Sequence, residues 1–465
     1  MAQLTFHGAA ETVTGSKYLL ESGSTKVLID CGMFQGLKEL RERNWAPLPF
    51  AADELASVVV THAHIDHIGY LPRLVKFGYS GTVYCTPATE DLAGIMLLDA
   101  AKLQESDADY ANRKKFSKHH PALPLFDSDD VARTLKLLQP TPRDNWFSAG
   151  GPFRCRYHDA GHLLGSTMIE VEVAGDGPRP LRILFSGDVG RYAAPIYHDP
   201  SPPPACDYLI CESTYGNRDH PPDDVMEGLA ETVNAAVHRG GVVLVAAFAV
   251  GRAQQLIYLL QLLAQSGRTP ELPIYLDSPM AVDATNIYCS YSAEHDLSEG
   301  RLEGLNCVFK GPNVHLARTS DESKRINDVA GPAVIIASSG MMTGGRILYH
   351  LQQRLPDPRH TILLGGFMAE GTRGRLLEDG AKYLKIHGRD VPVRAAVVKH
   401  SGLSCHAGHS ELLRWLEPLP APRRVFITHG EKQSAHAFAD ELRTRRGWDT
   451  YVPRLGETVA LEMPA

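Results

Sequence analysis

Between positions 62 and 67 the chain reads His62-Ala63-His64-Ile65-Asp66-His67. Four metal-ligating side chains in so short a run crowd a single tetrahedral ion. They suit two divalent cations side by side, since imidazole and carboxylate are ligands that zinc and similar ions accept. Two cations about 3.5–4 Å apart lower the pKa of a shared water and clamp a phosphoryl oxygen, which is the chemistry of metal-dependent hydrolysis. Residues of the same kind recur in Asp159-Ala160-Gly161-His162, Phe185-Ser186-Gly187-Asp188 and Phe426-Ile427-Thr428-His429-Gly430. A carboxylate at position 188 can bridge two metals. Asp30, after Val27-Leu28-Ile29, is placed to accept the free N–H of a ligand histidine and fix its tautomer.

Each of these turns follows a short apolar run. Residues 57–61 form a β-branched run, read as a buried strand ending at His62. Further strands are expected near 26–30, 82–85, 153–159, 168–173, 181–186, 208–212 and 424–428, with helices over 69–77, 88–102 and 433–445. Residues 114–130 carry Pro121, Pro124 and several charges and read as a surface excursion. After Glu212 the pattern changes. Helices over 227–238 and 253–264 alternate with apolar runs at 241–247, 274–276 and 334–337, the β/α grammar of a mainly parallel sheet. From about Val393 short strands and histidine-bearing loops return. The expected organisation is one α/β domain over 1–217 and 394–465, interrupted by a second over 218–393.

Composition narrows the function class. Of 465 residues, 43% are hydrophobic and 22% charged, an ordinary globular balance. The net charge of −7 offers no global cationic field, so a polyanionic substrate would need local attraction. The eight cysteines form no C-x-x-C pair and read as reduced thiols in a cytoplasmic protein. The N-terminus lacks the basic start and apolar stretch of a signal peptide. The most apolar run, 242–250, is too short to span a bilayer, so no membrane association is expected.

With these residues in place, the chain resembles the metallo-β-lactamase fold superfamily: the 62–67 run, His162, Asp188 and His429 follow the family's order. It is further similar to the β-CASP branch of RNA-processing nucleases. That similarity rests on Glu212 in Cys211-Glu212-Ser213-Thr214-Tyr215-Gly216 and His406 in Leu403-Ser404-Cys405-His406-Ala407-Gly408. It also rests on Phe248-Ala249-Val250-Gly251-Arg252, Tyr275-Leu276-Asp277-Ser278-Pro279-Met280 and Ser338-Ser339-Gly340-Met341-Met342-Thr343-Gly344-Gly345-Arg346. The resemblance covers nearly the whole chain. It implies an αββα sandwich with an inserted β-CASP α/β domain. No counterpart of an appended N-terminal RNA-binding module or a long C-terminal extension is read, so compact bacterial members are the expected match.

The resemblance also implies roles. His62, His64 and His162 would hold one metal, and Asp66, His67 and His429 the other, with Asp188 bridging. The ions would be zinc, with manganese an alternative. Asp66 would orient the nucleophilic hydroxide. His406 would protonate the leaving 3′-oxygen, with Glu212 raising its pKa. Arg252, Ser339, Gly340, Gly344, Arg346 and Ser404 are candidate phosphate contacts, with Ser401 beside them, since backbone N–H groups of a Gly-rich turn can cradle phosphate. His429 matches the histidine of relatives that act on RNA. The implied substrate is therefore single-stranded RNA, cut endonucleolytically or from the 5′ end, by an enzyme that could be a homodimer. A thioester or lactam hydrolase is disfavoured because a small substrate needs no inserted domain of about 180 residues; a DNA-directed nuclease is the other alternative. His158 and His400 read as ordinary histidines.

Overall fold

The computed structural model describes residues 2–115, 117–221, 225–295, 297, 307–366, 368 and 371–464, without the side chain of Ser401. The chain divides into two compact units. Met1–Asp219 and Cys405–Ala465 form the first, and His220–Ser404 the second.

The first unit is built on two seven-stranded sheets. One has the order Thr458–Leu461, Ala2–Phe6, Tyr18–Ser22, Thr25–Ile29, Leu55–Val59, Thr82–Cys85, Leu138–Pro140. The other runs Thr450–Tyr451, Arg424–Thr428, Tyr208–Glu212, Leu181–Phe185, Thr167–Val173, Phe153–Asp159, Phe147–Gly150. Strand periodicity of two sends alternate side chains to opposite faces. Phe6, Leu20, Val27, Ile29 and Val59 of the first sheet therefore meet Tyr157, Ile169, Ile183, Phe185, Ile210 and Phe426 of the second in one core. The other parity packs outward. Leu184, Leu209, Cys211, Val425 and Ile427 pack against Leu412, Trp415, Phe438 and Leu442 of helices His409–Leu416 and Lys432–Arg446. On the opposite side Leu28, Val58 and Val83 are fully buried too. This is the expected αββα sandwich.

Strand direction positions the site. Leu181–Phe185, Tyr208–Glu212 and Arg424–Thr428 are parallel neighbours, with Glu212 paired to Thr428. Thr25–Ile29 and Leu55–Val59 are parallel, with Ile29 opposite Val59. Phe153–Asp159 runs antiparallel to Thr167–Val173, which is antiparallel to Leu181–Phe185. The strands leading to His162, Asp188 and His429 therefore end at one edge of their sheet.

The second unit holds a six-stranded parallel sheet. Its order is Val314–Ala317, Ile274–Asp277, Ala333–Ala337, Val242–Ala246, Thr361–Leu364, Ala396–Lys399. A hairpin, Tyr383–Ile386 with Arg389–Pro392, is added to it. The compact units divide at Cys405, and Ala396–Lys399 is hydrogen-bonded alongside Thr361–Leu364 in the second. Two expectations are corrected. Cys289 and Cys307 form a disulfide with Cα atoms 5.5 Å apart, whereas the other six cysteines remain thiols. The helix expected to stop at 102 runs over Pro87–Lys114, because no glycine or proline lies between Lys102 and Lys115, which turns left-handed. Among the described residues no helix is long and apolar enough to cross a membrane.

A buried charge cluster anchors the second unit. Asp277, fully buried, accepts from Arg346 Nη1 (2.7 Å), His350 Nε2 (2.7 Å) and Ser323 Oγ (2.6 Å). Burial opposes its charged form, but His350, Ser323 and Arg346 outweigh it and hold the carboxyl below its ordinary value. Replacing Asp277 with Ala strands a buried histidine and an arginine. Urea unfolding should show a loss of about 3 kcal/mol, typical of breaking one side of a buried pair; a loss under about 1 kcal/mol would show that the cluster does not anchor the unit.

Candidate metal centre

All nine residues expected at the metals or in proton transfer, with Asp30, fall in the first unit. The 62–67 run leaves Leu55–Val59 as a loop, and the short helix Ile65–Ile68 presents Asp66 and His67. The strand ends turn sharply. Gly161 and Gly187 take φ of +66° and +54°, where a Cβ would meet backbone oxygens 2.6 and 2.7 Å away. Asp30 and His429 occupy the same left-handed region, at +57° and +47°, without being glycine. Strain of that kind persists only where surroundings enforce it.

Two donor groups form. His62 Nε2 lies 3.0 Å from His64 Nδ1 and 3.4 Å from Asp188 Oδ2, and His162 Nε2 lies 3.3 and 3.6 Å from the same two atoms. Beside it, His429 Nε2 is 3.2 Å from His67 Nε2 and 3.4 Å from Asp66 Oδ2. Asp188 turns its other oxygen this way, with Oδ1 3.4 Å from His67 Nε2. Asp188 thus gives one oxygen to each group.

Three imidazoles have the protonation state that metal ligation needs, while Asp188 and Asp30 overcome burial and raise His67 well above its ordinary value. Burial, with the neighbouring His67, lowers His62 to about 3. Burial lowers His64 to about 4 against the pull of Asp66 and Asp188, and burial with His406 takes His162 well below its ordinary value. These imidazoles are neutral and offer lone pairs. Asp66 and Asp188 are also buried, yet their histidine neighbours hold both carboxyls below the usual range. Asp188 Oδ1 is buried without a hydrogen-bond partner, so an acceptor faces other acceptors. Cations resolve that arrangement.

A second layer fixes the ligands. His67 Nδ1 donates to Asp30 Oδ2 at 2.7 Å, leaving Nε2 aimed at the centre. Thr61 Oγ1 donates to Asp30 Oδ2 at 2.9 Å and accepts from His62 Nδ1 at 3.0 Å. Thr214 Oγ1 sits 3.2 Å from His429 Nδ1. The two threonines escaped the sequence reading; Thr61, the last residue before the ligand run, carried the only positional hint.

His406 and Glu212 stand beside the centre. His406 Nδ1 is 3.4 Å from Glu212 Oε1 and 4.0 Å from Asp188 Oδ2. Glu212 is anchored by the backbone N–H groups of Val189 (2.7 Å) and Thr214 (3.1 Å). Burial disfavours a charged His406, but Glu212 and Asp188 outweigh it and raise its pKa to about 9.

The candidate phosphate contacts lie in the second unit. Arg346 spends its guanidinium on Asp277, Ala317 O and Arg318 O. Arg252 is buried, with Nη1 on Gln255 Oε1 at 3.1 Å. Ser339 closes its own loop by accepting from Thr343 N at 3.0 Å. Gly340 is packed against Phe248, Gly344 has open space, and Ser404 is buried. Elsewhere His158 pairs with Glu170 at 2.9 Å and His400 with Thr232 at 2.9 Å, as ordinary histidines do.

Comparison with known proteins agrees with this geometry. Three family models match: the metallo-beta-lactamase superfamily over 12–230, the Beta-Casp domain over 253–377, and the Zn-dependent metallo-hydrolase RNA specificity domain over 390–453. Ribonuclease TTHA0252 of Thermus thermophilus is 38% identical, covering 97% of this chain and 98% of that protein. The chain belongs to the β-CASP branch of the metallo-β-lactamase superfamily. The RNase J-like protein of Methanocaldococcus jannaschii is 30% identical, over 98% of this chain and 99% of its own. Transcription termination factor FttA of Methanosarcina mazei is 31% identical, over 99% of this chain and 71% of its own. A crystal structure of a protein of unknown function from Enterococcus faecalis V583 shares the fold over 99% of this chain and 100% of that one, with TM-score 0.56 at 12% identity. Membership in this family implies divalent metal at the His/Asp cluster.

Asp30→Ala frees the His67 ring while leaving every donor atom in place. Metal affinity, titrated against a chelator, should fall roughly 10- to 100-fold. Unchanged affinity would show that Asp30 plays no orienting part.

Proposed function

We propose that the chain is a metal-dependent ribonuclease that hydrolyses phosphodiester bonds in single-stranded RNA, using two divalent cations. The histidine-rich donor set favours zinc, with manganese able to fill similar sites. The observation that carries the reading is the Glu212–His406 pair, which adds a cationic proton donor to the edge of the donor groups. A lactam or thioester hydrolase needs only the metals. The RNA specificity model covers both His406 and His429, and the ribonuclease relative spans nearly the whole chain.

When bound, the two cations supply an activated water and polarise the phosphate. The protein's own groups do the rest. His62, His64, His162, Asp66, His67 and His429 would form the two ligand sets, with Asp188 between them. Asp66, held ionised, orients the attacking water. His406, cationic near neutral pH, delivers its proton to the leaving 3′-oxygen. Glu212, fixed by two N–H groups, holds that ring and favours its charge.

The test uses end-labelled single-stranded RNA and DNA with 5′-hydroxyl or 5′-monophosphate ends, with and without chelator. RNA should be cut, chelator should abolish cutting, and zinc or manganese should restore it. His406→Ala should keep its metal content and lose about 100-fold or more in turnover, whereas Asp188→Asn should lose metal as well. Hydrolysis of a small thioester with RNA left intact would overturn the reading.

A further inference from the structure

An acidic enzyme acting on RNA needs a local source of attraction. From Tyr110 to Phe126 the chain carries Arg113, Lys114, Lys115 and Lys118 and no aspartate or glutamate, against a net charge of −7. All four cations are exposed, and none forms an ion pair with a described residue. Arg113 and Lys114 lie in the last turn of Pro87–Lys114, where cations complement the helix carbonyl end. Lys115 and Lys118 lie beyond that turn, and the dipole does not account for them.

Residues on either side of these cations are held in place. Asn112 donates to Ala122 O at 2.9 Å and accepts from Ala122 N at 2.7 Å. Gln104 accepts from Leu125 N at 3.0 Å, and Arg73 donates to Leu125 O at 3.0 Å. Arg73 also lies over the rings of Trp45 (5.6 Å) and Phe77 (4.6 Å). Those rings are 51% and 42% exposed, and Tyr110 is 51% exposed. Arg73 thus links the chain that carries these cations, at Leu125, to the half-exposed Trp45 of the same unit.

We propose that this surface binds single-stranded RNA outside the metal centre, with Arg113, Lys114, Lys115 and Lys118 on backbone phosphates and the half-exposed Trp45 ring stacking a base. The proposal rests on the ribonuclease reading. Phosphates and unpaired bases together match this mixture, because cations track the backbone while every base offers a π-face to stack.

The test measures binding of the full-length, metal-loaded protein to a fluorescent 2′-O-methyl oligonucleotide, which resists cleavage, across a salt series. Replacing Arg113, Lys114, Lys115 and Lys118 together with alanine should weaken binding about tenfold or more. It should also flatten the log–log salt slope by roughly 0.7 per lost phosphate contact. Lys114→Arg with Lys115→Arg and Lys118→Arg should retain affinity. Removing the same charge elsewhere, at the exposed Lys310, Lys324, Lys382 and Lys385, should leave it within about twofold. The four-alanine variant binding like wild type, while wild type cleaves RNA, would overturn this proposal and leave the ribonuclease reading standing. An equal loss in both charge-removal variants would also overturn it, since a general field would then explain binding. So would unchanged RNA affinity with lost affinity for phosphatidylserine vesicles. Wild type that neither binds nor cleaves RNA would overturn both readings.

Discussion

The first unit is organised around one carboxylate. Asp188 is buried, ionised and turned so that its two oxygens face two separate groups of imidazoles. A lone buried charge of that kind is costly unless paired. The sandwich meets this demand by ending strands from both sheets at one edge. Burial keeps His62, His64 and His162 neutral, with lone pairs open to a cation, whereas Asp188 and Asp30 overcome burial and hold His67 well above its ordinary value.

The second shell translates that demand into backbone geometry. Asp30 accepts from His67 and Thr61 while holding a left-handed φ, and His429, just after a strand of the other sheet, holds a left-handed φ too. Thr61 ties Asp30 to His62 and thereby couples ligands of different donor groups. Pulling one member out would disturb several rings at once, so the centre acts as a network and not as independent contacts. His406 belongs to a different environment: it keeps partial contact with solvent, and Glu212 keeps it cationic beside neutral imidazoles. One residue type thus meets two environments within a few ångströms, one suited to binding a cation and one suited to giving up a proton.

Much of this was legible in the sequence, for a physical reason. Metal ligands are rare residue types, and a strand end is a recognisable context, so His62, His162, Asp188 and His429 stood out although they are scattered between positions 62 and 429. The sandwich followed from apolar runs of strand length. What stayed hidden was carried by common residues or by pairing. Thr61 and Thr214 are unremarkable hydroxyls until a ring nitrogen lies 3 Å away. Ala396–Lys399 reads equally well as belonging to either unit, and only its hydrogen bonds to Thr361–Leu364 assign it. Arg346 beside a Gly-rich loop reads the same whether it faces a phosphate or the buried Asp277 that it meets. The Cys289–Cys307 bond depends on where a helix stops, which spacing does not specify.

The pairing of Tyr208–Glu212 with Arg424–Thr428 has a consequence for the order of assembly during synthesis. Glu212 leaves the ribosome long before Thr428, and the entire second unit is made in between. Until that late strand slots in beside its early partner, His429 is absent and one donor group is incomplete. The donor set is therefore complete only after the second unit has been made.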